Sequence, residues 1–512
     1  MNIFDNILTA ASEGAAQGAV EHARATTTFD GTRITPSEGF ALTVEPATKS
    51  LYQYQLAAVE TIIEHRRVLL GLQPGLGKTA IIQAVVAHEA ALGKRSLVIV
   101  PPSLRISPWA NEFAADYPHL NVALVSGTKR AEFPVDADVV ILPDSVFAQR
   151  VDDVIAWAPQ NVFADEGHRY KNVKAKRTIA LRTLADALPV DACIVPATGT
   201  VVANRVTDVY APLRITGREN ARAVSGGDSY TRFLDAWCDT EVVWTGRGHV
   251  RVATGCKDPE GLRDALVKTC YVSVPREDVL DLPERTTAVR SLVLNGDATE
   301  YRRIERDFIA WVRDQKGDAA AHRASKAEAI TRLLALWEAD GKSKVKATTE
   351  YVSSLVEQGE QVVLFAHHKS VVAALYEALL AEGISCTSVI GGQSSESKAD
   401  AVDAFQNGRV QVLIGNITAA GTGLTLHAAR HVVFCQLPWS PGDYGQAQDR
   451  IFRIGQKRHC TTHVLNASEQ VSEHLWAVLG SKVAVADAVN TGTNTTIDAS
   501  SIEEAVLQSY GW

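Results

Sequence analysis

Residues 71–79 read Gly71-Leu72-Gln73-Pro74-Gly75-Leu76-Gly77-Lys78-Thr79, with the apolar run Val68-Leu69-Leu70 before them and a helical pattern over 80–92 behind. That order of strand, glycine-rich turn and helix lets backbone N–H groups converge on an anion, and the helix N-terminus adds positive potential. Lys78 is placed to reach the outer phosphates of a nucleotide, and the Thr79 hydroxyl to bind Mg²⁺. The strict phosphate-loop spacing asks for glycine where this chain has Leu72, but the Gly75-x-Gly77-Lys78-Thr79 core is intact. The competing reading is an ordinary glycine turn that opens a helix. The strand and helix on either side weigh against it.

Outward from this loop the chain keeps one rhythm. Short apolar runs recur at 67–71, 97–100, 122–125, 139–142, 162–164 and 194–196, separated by helical patterns. Runs of that kind are the mark of parallel strands buried on both faces with helical crossovers. Residues 46–215 are expected to form one doubly wound α/β lobe. Residues 216–340 break the rhythm with Ser225-Gly226-Gly227 and Thr245-Gly246-Arg247-Gly248, then turn helical over 297–340, where Ile304, Phe308, Trp311, Ile330, Leu333, Leu334 and Trp337 keep helical spacing. These helices are expected either to protrude towards a ligand or to serve as a packing brace. A second α/β rhythm fills 341–485, with strands at 362–365, 387–390, 412–414, 432–434 and 463–465. A helix over 371–382 is expected to stop at Gly383. Residues 1–45 read as a loosely ordered lead or small cap, and 486–512 as a tail.

The run Asn161-Val162-Phe163-Ala164 is followed by Asp165-Glu166-Gly167-His168. A carboxylate at the end of a strand in this fold class sits beside the phosphate loop. Asp165 is expected to hold Mg²⁺ with Thr79, and Glu166 to position and polarise the attacking water. The basic stretch Arg169, Lys171, Lys174, Lys176 and Arg177 is open to two readings, a solvated face or a phosphate contact.

The segment 165–172, Asp-Glu-Gly-His-Arg-Tyr-Lys-Asn, resembles the DEAH-box segment of the SWI/SNF-type DNA translocases, a branch of the superfamily-two helicases, and other motifs follow in that family's order. Leu51-Tyr52-Gln53-Tyr54-Gln55 is similar to its adenine-reading glutamine motif, which implies that Gln55 meets the base. Residues 98–103, with Trp109 downstream, are similar to the strand and loop that grip one DNA strand. Ala197-Thr198-Gly199-Thr200 is similar to the motif that couples hydrolysis to strand contact. Residues 416–426 resemble motif V, and 446–456 resemble motif VI with its Arg453-Ile454-Gly455-Gln456 signature. Trp439-Ser440-Pro441 stands just before it. The resemblance covers residues 50–480 and lies nearest the annealing-helicase (HARP-like) group.

The resemblance implies an α/β fold, two RecA-like doubly wound parallel-sheet lobes with helical insertions. It implies an ATP-dependent DNA translocase that uses ATP and Mg²⁺. Gln55, Gly75, Gly77, Lys78, Thr79 and Gln446 would bind the nucleotide. Lys78, Asp165, Glu166, Arg450 and Arg453 would carry the chemistry, and Ser103, Thr198, Thr200, Thr418, Gly421 and Trp439 would touch nucleic acid. Arg450 and Arg453, three apart on an expected helix, share one face. Val201, the pair His367-His368 and Asn416 stand where the family usually has other residues. The alternatives kept open are a strand-separating helicase or motor subunit of a nuclease system, and a non-hydrolysing nucleic-acid clamp.

The net charge of −8 excludes a generally basic nucleic-acid coat, so contacts with double-stranded or forked DNA must come from local patches and be independent of sequence. The seven cysteines form no CxxC pair, which argues against zinc and fits a reducing compartment. The N-terminus is a poor signal peptide, and the apolar runs are far short of a membrane span. A monomer in the cytoplasm or nucleoid of a bacterial or viral system is the expectation.

Overall fold

The computed structural model describes residues 28–125, 127, 133–199, 201, 205–244, 248–281, 283–294, 298–314, 326–417, 424–491 and 502–510. The chain divides into two compact units. One comprises 1–279 with 488–494, the other 280–487 with 495–512. The stretch 216–340 is thus shared, its first half packing with the first unit and its second half with the second.

In the first unit, strands β1 (Leu69–Leu70), β2 (Ser96–Val100), β3 (Val122–Leu124), β4 (Val139–Pro143), β5 (Asn161–Ala164) and β6 (Cys193–Pro196) fall where the apolar runs predicted them. The sheet order is β3-β4-β2-β5-β6, every pairing parallel. Bridges Arg67 to Ile194 and Leu70 to Ala197 continue it to β1, and β9 (Tyr271–Val272) pairs with β1 beyond. Leu97, Val98, Ile99 and Val100 are all fully buried, which is why these strands read as unbroken apolar runs rather than alternating ones. Residues 28–50, the described part of the lead and its continuation, are tied to this unit. Ser37 N–H donates to Glu60, Thr48 N–H and hydroxyl donate to Asp116, and Ser273 N–H donates to the Gly31 carbonyl. An antiparallel hairpin of β7 (Cys238–Trp244) and β8 (His249–Cys256), absent from the sequence reading, completes the unit.

The second unit holds a six-stranded sheet, also parallel throughout. Its order is β10 (Arg285–Leu292), β15 (Cys460–Ala467), β14 (His431–Phe434), β11 (Val362–Ala366), β13 (Val412–Asn416), β12 (Cys386–Val389). The helix Lys369–Ala381 is followed by Gly383 at φ +76°, the stop that the sequence marked. Phe365 and Phe434 are cross-strand partners with rings 5.5 Å apart. The helices Thr299–Asp314 and Lys326–Ser343 bury Tyr301, Phe308, Leu333, Leu336 and Trp337 in the core of this unit. Packing is therefore the role this face plays. No helix among the described residues is long and apolar enough to cross a membrane.

Two histidines make this second core sensitive to acid. His463 is buried with one ring nitrogen 2.9 Å from His431 and the other 2.8 Å from the Tyr351 hydroxyl. Burial, then the neighbouring His431, pushes its pKa from 6.5 down to about 4. Burial and His368 push His367 down to about 4 as well. A depressed folded-state pKa means that the unfolded chain takes up protons first as pH falls. Stability from both groups is thus fully present above pH 6.5 and is lost between 6.5 and about 4, each group contributing on the order of 2 kcal/mol. The urea midpoint of the second unit is expected to drop across that window, and His463→Gln to flatten part of the drop. A midpoint independent of pH from 7 to 4.5 contradicts this.

Candidate active site

The phosphate loop leaves β1 and enters the helix Lys78–Ala91. Gly77 caps that helix at φ +75°, and a Cβ there would lie 2.3 Å from the Gln55 amide nitrogen. Glycine is required on both counts, conformation and space. The Lys78 ammonium lies 2.9 Å from the Leu72 carbonyl, folded back over its own loop. Gln55 is buried at 4 % exposure, its amide N–H donating to the Leu76 carbonyl and its amide oxygen accepting from Tyr52 N–H. The Tyr54 hydroxyl donates to the same Leu76 carbonyl. Gln55 therefore braces the loop here.

Asp165 follows β5 directly and is buried. One carboxylate oxygen accepts from the Trp109 indole N–H at 2.9 Å, the other from Glu166 N–H at 2.9 Å. Burial, then the adjacent Glu166 charge, raises its pKa to about 6, against the opposing pull of Trp109 and Lys78. Glu166 occupies the left-handed region at φ 52°, a strained setting for a residue with a side chain and one that collects at functional sites. Its carboxylate lies 3.2 Å from His168, whose same nitrogen is 3.4 Å from the Thr198 hydroxyl.

The third wall is the 197–199 turn. Thr198 N–H donates to the Leu70 carbonyl, and Gly167 N–H to the Ala197 carbonyl. Gly199 faces Pro74 so closely that a Cβ would lie 2.7 Å from the proline ring. Lys78, Asp165, Glu166, His168 and Thr198 are thus held by one lobe around one loop. Two residues that the sequence reading passed over lock that loop from behind. Arg276 donates to the Pro74 carbonyl at 2.7 Å, and the Tyr271 hydroxyl is 3.4 Å from the Gly71 carbonyl.

The second unit presents its own cluster. The expected helix through Arg450 and Arg453 ends earlier, as Pro441–Gln448, and both arginines lie in the turns beyond it. The reason is local. Arg450 Nε donates to the Gln446 carbonyl, so a guanidinium satisfies a terminal carbonyl that continuing helix would have used. The two arginines still meet, because both donate to the Leu424 carbonyl, at 3.2 Å from Arg450 and 2.8 Å from Arg453, and Arg453 also reaches the Thr425 hydroxyl. Gln446 is buried on that helix. Gln456 clasps the turn, donating to the carbonyls of His427, Ala429 and Ile451 and accepting from the N–H groups of Lys457 and Arg458.

The expected nucleic-acid residues divide. Thr198 is fully buried with its hydroxyl towards His168. Trp439 is half-buried, its ring 4.7 Å from Trp337. Ser103 lies in the short turn Pro102–Leu104, and Thr200, Thr418 and Gly421 lie outside the described residues. The basic stretch after Asp165 is largely spoken for. Arg169 and Arg177 both bind the buried Asp144, and Lys171 is 3.6 Å from Asp208. Lys174 and Lys176 are exposed.

The donor set expected for a metal, the Thr79 hydroxyl at the start of the helix after the loop and the buried Asp165 carboxylate, is all oxygen and short of a full shell. That suits Mg²⁺, which keeps waters and shares phosphate oxygens, rather than a metal needing a protein cage.

The sequence matches the SNF2-related domain over residues 52–223 and the helicase conserved C-terminal domain over 343–455. It is similar to the SWI/SNF-related matrix-associated actin-dependent regulator of chromatin subfamily A-like protein 1 of Xenopus tropicalis, 27 % identical over 425 residues, which are 82 % of this chain and 42 % of that protein. It is 24 % identical to the DNA annealing helicase and endonuclease ZRANB3 of Homo sapiens over 443 residues, 85 % of this chain and 40 % of that protein. The chain therefore spans less than half the length of these relatives. Among solved structures it overlaps the Sulfolobus solfataricus SWI2/SNF2 ATPase core in complex with dsDNA, with 20 % identity, 89 % of this chain and 96 % of that one covered, and a TM-score of 0.41. With the two domain matches in order along the chain, and the phosphate loop and the arginine pair each built as described, the chain belongs to the SNF2-related helicases, a family of ATP-hydrolysing enzymes.

Proposed function

We propose that the chain is an ATP-driven translocase on double-stranded or forked DNA. The observation that carries this reading is the gathering of Lys78, Asp165 and Glu166 on one lobe, with a second lobe that aims two arginines at a single carbonyl. ATP is the substrate. Lys78 and the loop N–H groups bind its phosphates, and Gln55 and Gln446 are the further nucleotide-binding residues of this reading. Thr79 and Asp165 would hold Mg²⁺, which would neutralise phosphate charge when bound. Glu166, oriented by His168, takes the proton of the attacking water. Arg453, with Arg450 behind it, stabilises negative charge on the phosphoryl group in transfer. One chain carries every one of these groups, so a monomer suffices.

Contacts to DNA phosphates carry no base information, so binding is expected to ignore sequence and to weaken steeply with salt. The relatives named above include an annealing helicase, which favours movement on duplex, or reannealing, over strand separation. Triplex displacement tests this directly. The chain with ATP should strip a third strand from duplex DNA without opening the duplex beneath. Duplex opening with no triplex displacement would overturn translocation in favour of strand separation.

A further inference from the structure

The loop that follows β2 ends on a tryptophan whose side chain reaches the metal-binding carboxylate. After Val100 the chain makes a short turn over Pro102–Leu104. It then makes a wide, π-type turn over Arg105–Ala110 that contains Pro108 and closes with Asn111 N–H on the Ile106 carbonyl. Such wide turns add a residue per turn and re-aim the side chains that follow, and they gather at functional sites. Here the turn sends Trp109 inward. It is fully buried, and its indole N–H donates to Asp165 Oδ2 at 2.9 Å. Its backbone carbonyl is 3.4 Å from the Gln83 amide, on the helix that begins with Lys78 and Thr79. Phe113 stands beside the indole at 6.2 Å, and Tyr117 beside Phe113 at 6.4 Å. At the other end of the same loop, Pro102 and Ile106 are exposed.

We infer that Trp109 is a positioning residue. It fixes the orientation of the Asp165 carboxylate, and it joins that carboxylate mechanically to the loop over 101–110, so that a ligand on the loop's exposed end is felt at the Mg²⁺ site. This rests on the reading of the site given under the proposed function. Asp165 has two acceptor oxygens in a poorly solvated place. Glu166 N–H holds one through the backbone, and Trp109 holds the other through a side chain on a different segment. A hydrogen bond to an ionised acceptor is stronger and more directional than a neutral one. Removing it leaves the carboxylate pinned at one oxygen and free to swing. DNA is the ligand expected on the loop, so the same bond gives a route by which DNA accelerates hydrolysis. A tryptophan that merely packed in the core would find a carboxylate by accident, and its loss would not alter metal affinity selectively.

The test uses Mn²⁺ as a spin-visible stand-in and a non-hydrolysable ATP analogue on the full chain, with free Mn²⁺ read by electron paramagnetic resonance. Trp109→Phe removes the N–H and keeps an aromatic ring. It should weaken Mn²⁺ in the ternary complex about tenfold, with analogue affinity in EDTA unchanged within twofold. Trp109→His, which retains a ring N–H, should stay within about threefold of the parent. Adding duplex DNA should tighten Mn²⁺ in the parent but not in Trp109→Phe. Should the Phe variant fail to fold, benzothienylalanine at position 109 replaces the N–H by sulfur at almost constant shape and makes the same comparison. Equal Mn²⁺ affinity in parent and variant, or equal loss in the Phe and His variants, overturns the inference. A parent that binds no Mn²⁺ with the analogue instead overturns the reading of the site, a distinguishable result.

Discussion

Lys78→Ala is expected to leave a folded protein with ATP turnover reduced by at least about 10³-fold, since it removes a preorganised charge from the place where phosphoryl charge develops. The ammonium contacts the carbonyls of Leu72 and Gln73, at 2.9 and 3.5 Å. On the proposed reading, phosphate oxygens replace these neutral acceptors when the nucleotide binds. Alanine keeps the helix start, because Gly77 and the Gln55 contacts that shape the loop do not depend on the side chain at 78. DNA binding should survive, with its steep salt dependence. Phosphate release and a thermal midpoint, measured side by side, decide it. Turnover within tenfold of the parent would remove Lys78 from the site.

Arg453→Ala is expected to lower kcat by about 10³-fold or more, the scale of an arginine that completes a phosphoryl-transfer site, while nucleotide affinity changes less than threefold. The two arginines are not equivalent. Arg450 is 5 % exposed and caps the Gln446 carbonyl, so its removal would disturb the turn as well as the chemistry. Arg453 is half-buried, and its Nη1 donates to the Leu424 carbonyl and the Thr425 hydroxyl, neutral acceptors that a phosphate can replace. Steady-state kinetics beside fluorescent-nucleotide binding separate the two effects. Parent-like kcat in the variant, or a loss confined to KM, would place Arg453 outside the transition state.

What could be read in advance follows from where the physics is local. The phosphate loop, the strand before Asp165 and both parallel sheets were legible, because strands buried on both faces must be apolar throughout and the loop needs glycine at Gly77. The edge strand Arg285–Leu292 was not. Most of its side chains are exposed, so its sequence, rich in Arg and Thr, carries no apolar run. The paired strands Cys238–Trp244 and His249–Cys256 do alternate β-branched residues on either side of the sequence Thr245-Gly246-Arg247-Gly248, a signal that was read only as a break in the α/β rhythm. The helix end at Gln448 turned on one side-chain cap. The partners of Trp109, Tyr271 and Arg276 are residues 56, 200 and 202 positions away. No spacing rule foretells such pairs. They exist because β9 joins the sheet beside β1 and because the loop after β2 folds back on β5.

The most direct trial of the whole account is the rate of ATP hydrolysis with and without nucleic acid, using blunt duplex, forked duplex and single strands of unrelated sequence at low and moderate salt. Duplex or fork is predicted to raise the rate at least tenfold whatever its sequence, with the stimulation fading as salt rises. A rate that ignores every form of DNA would contradict the account.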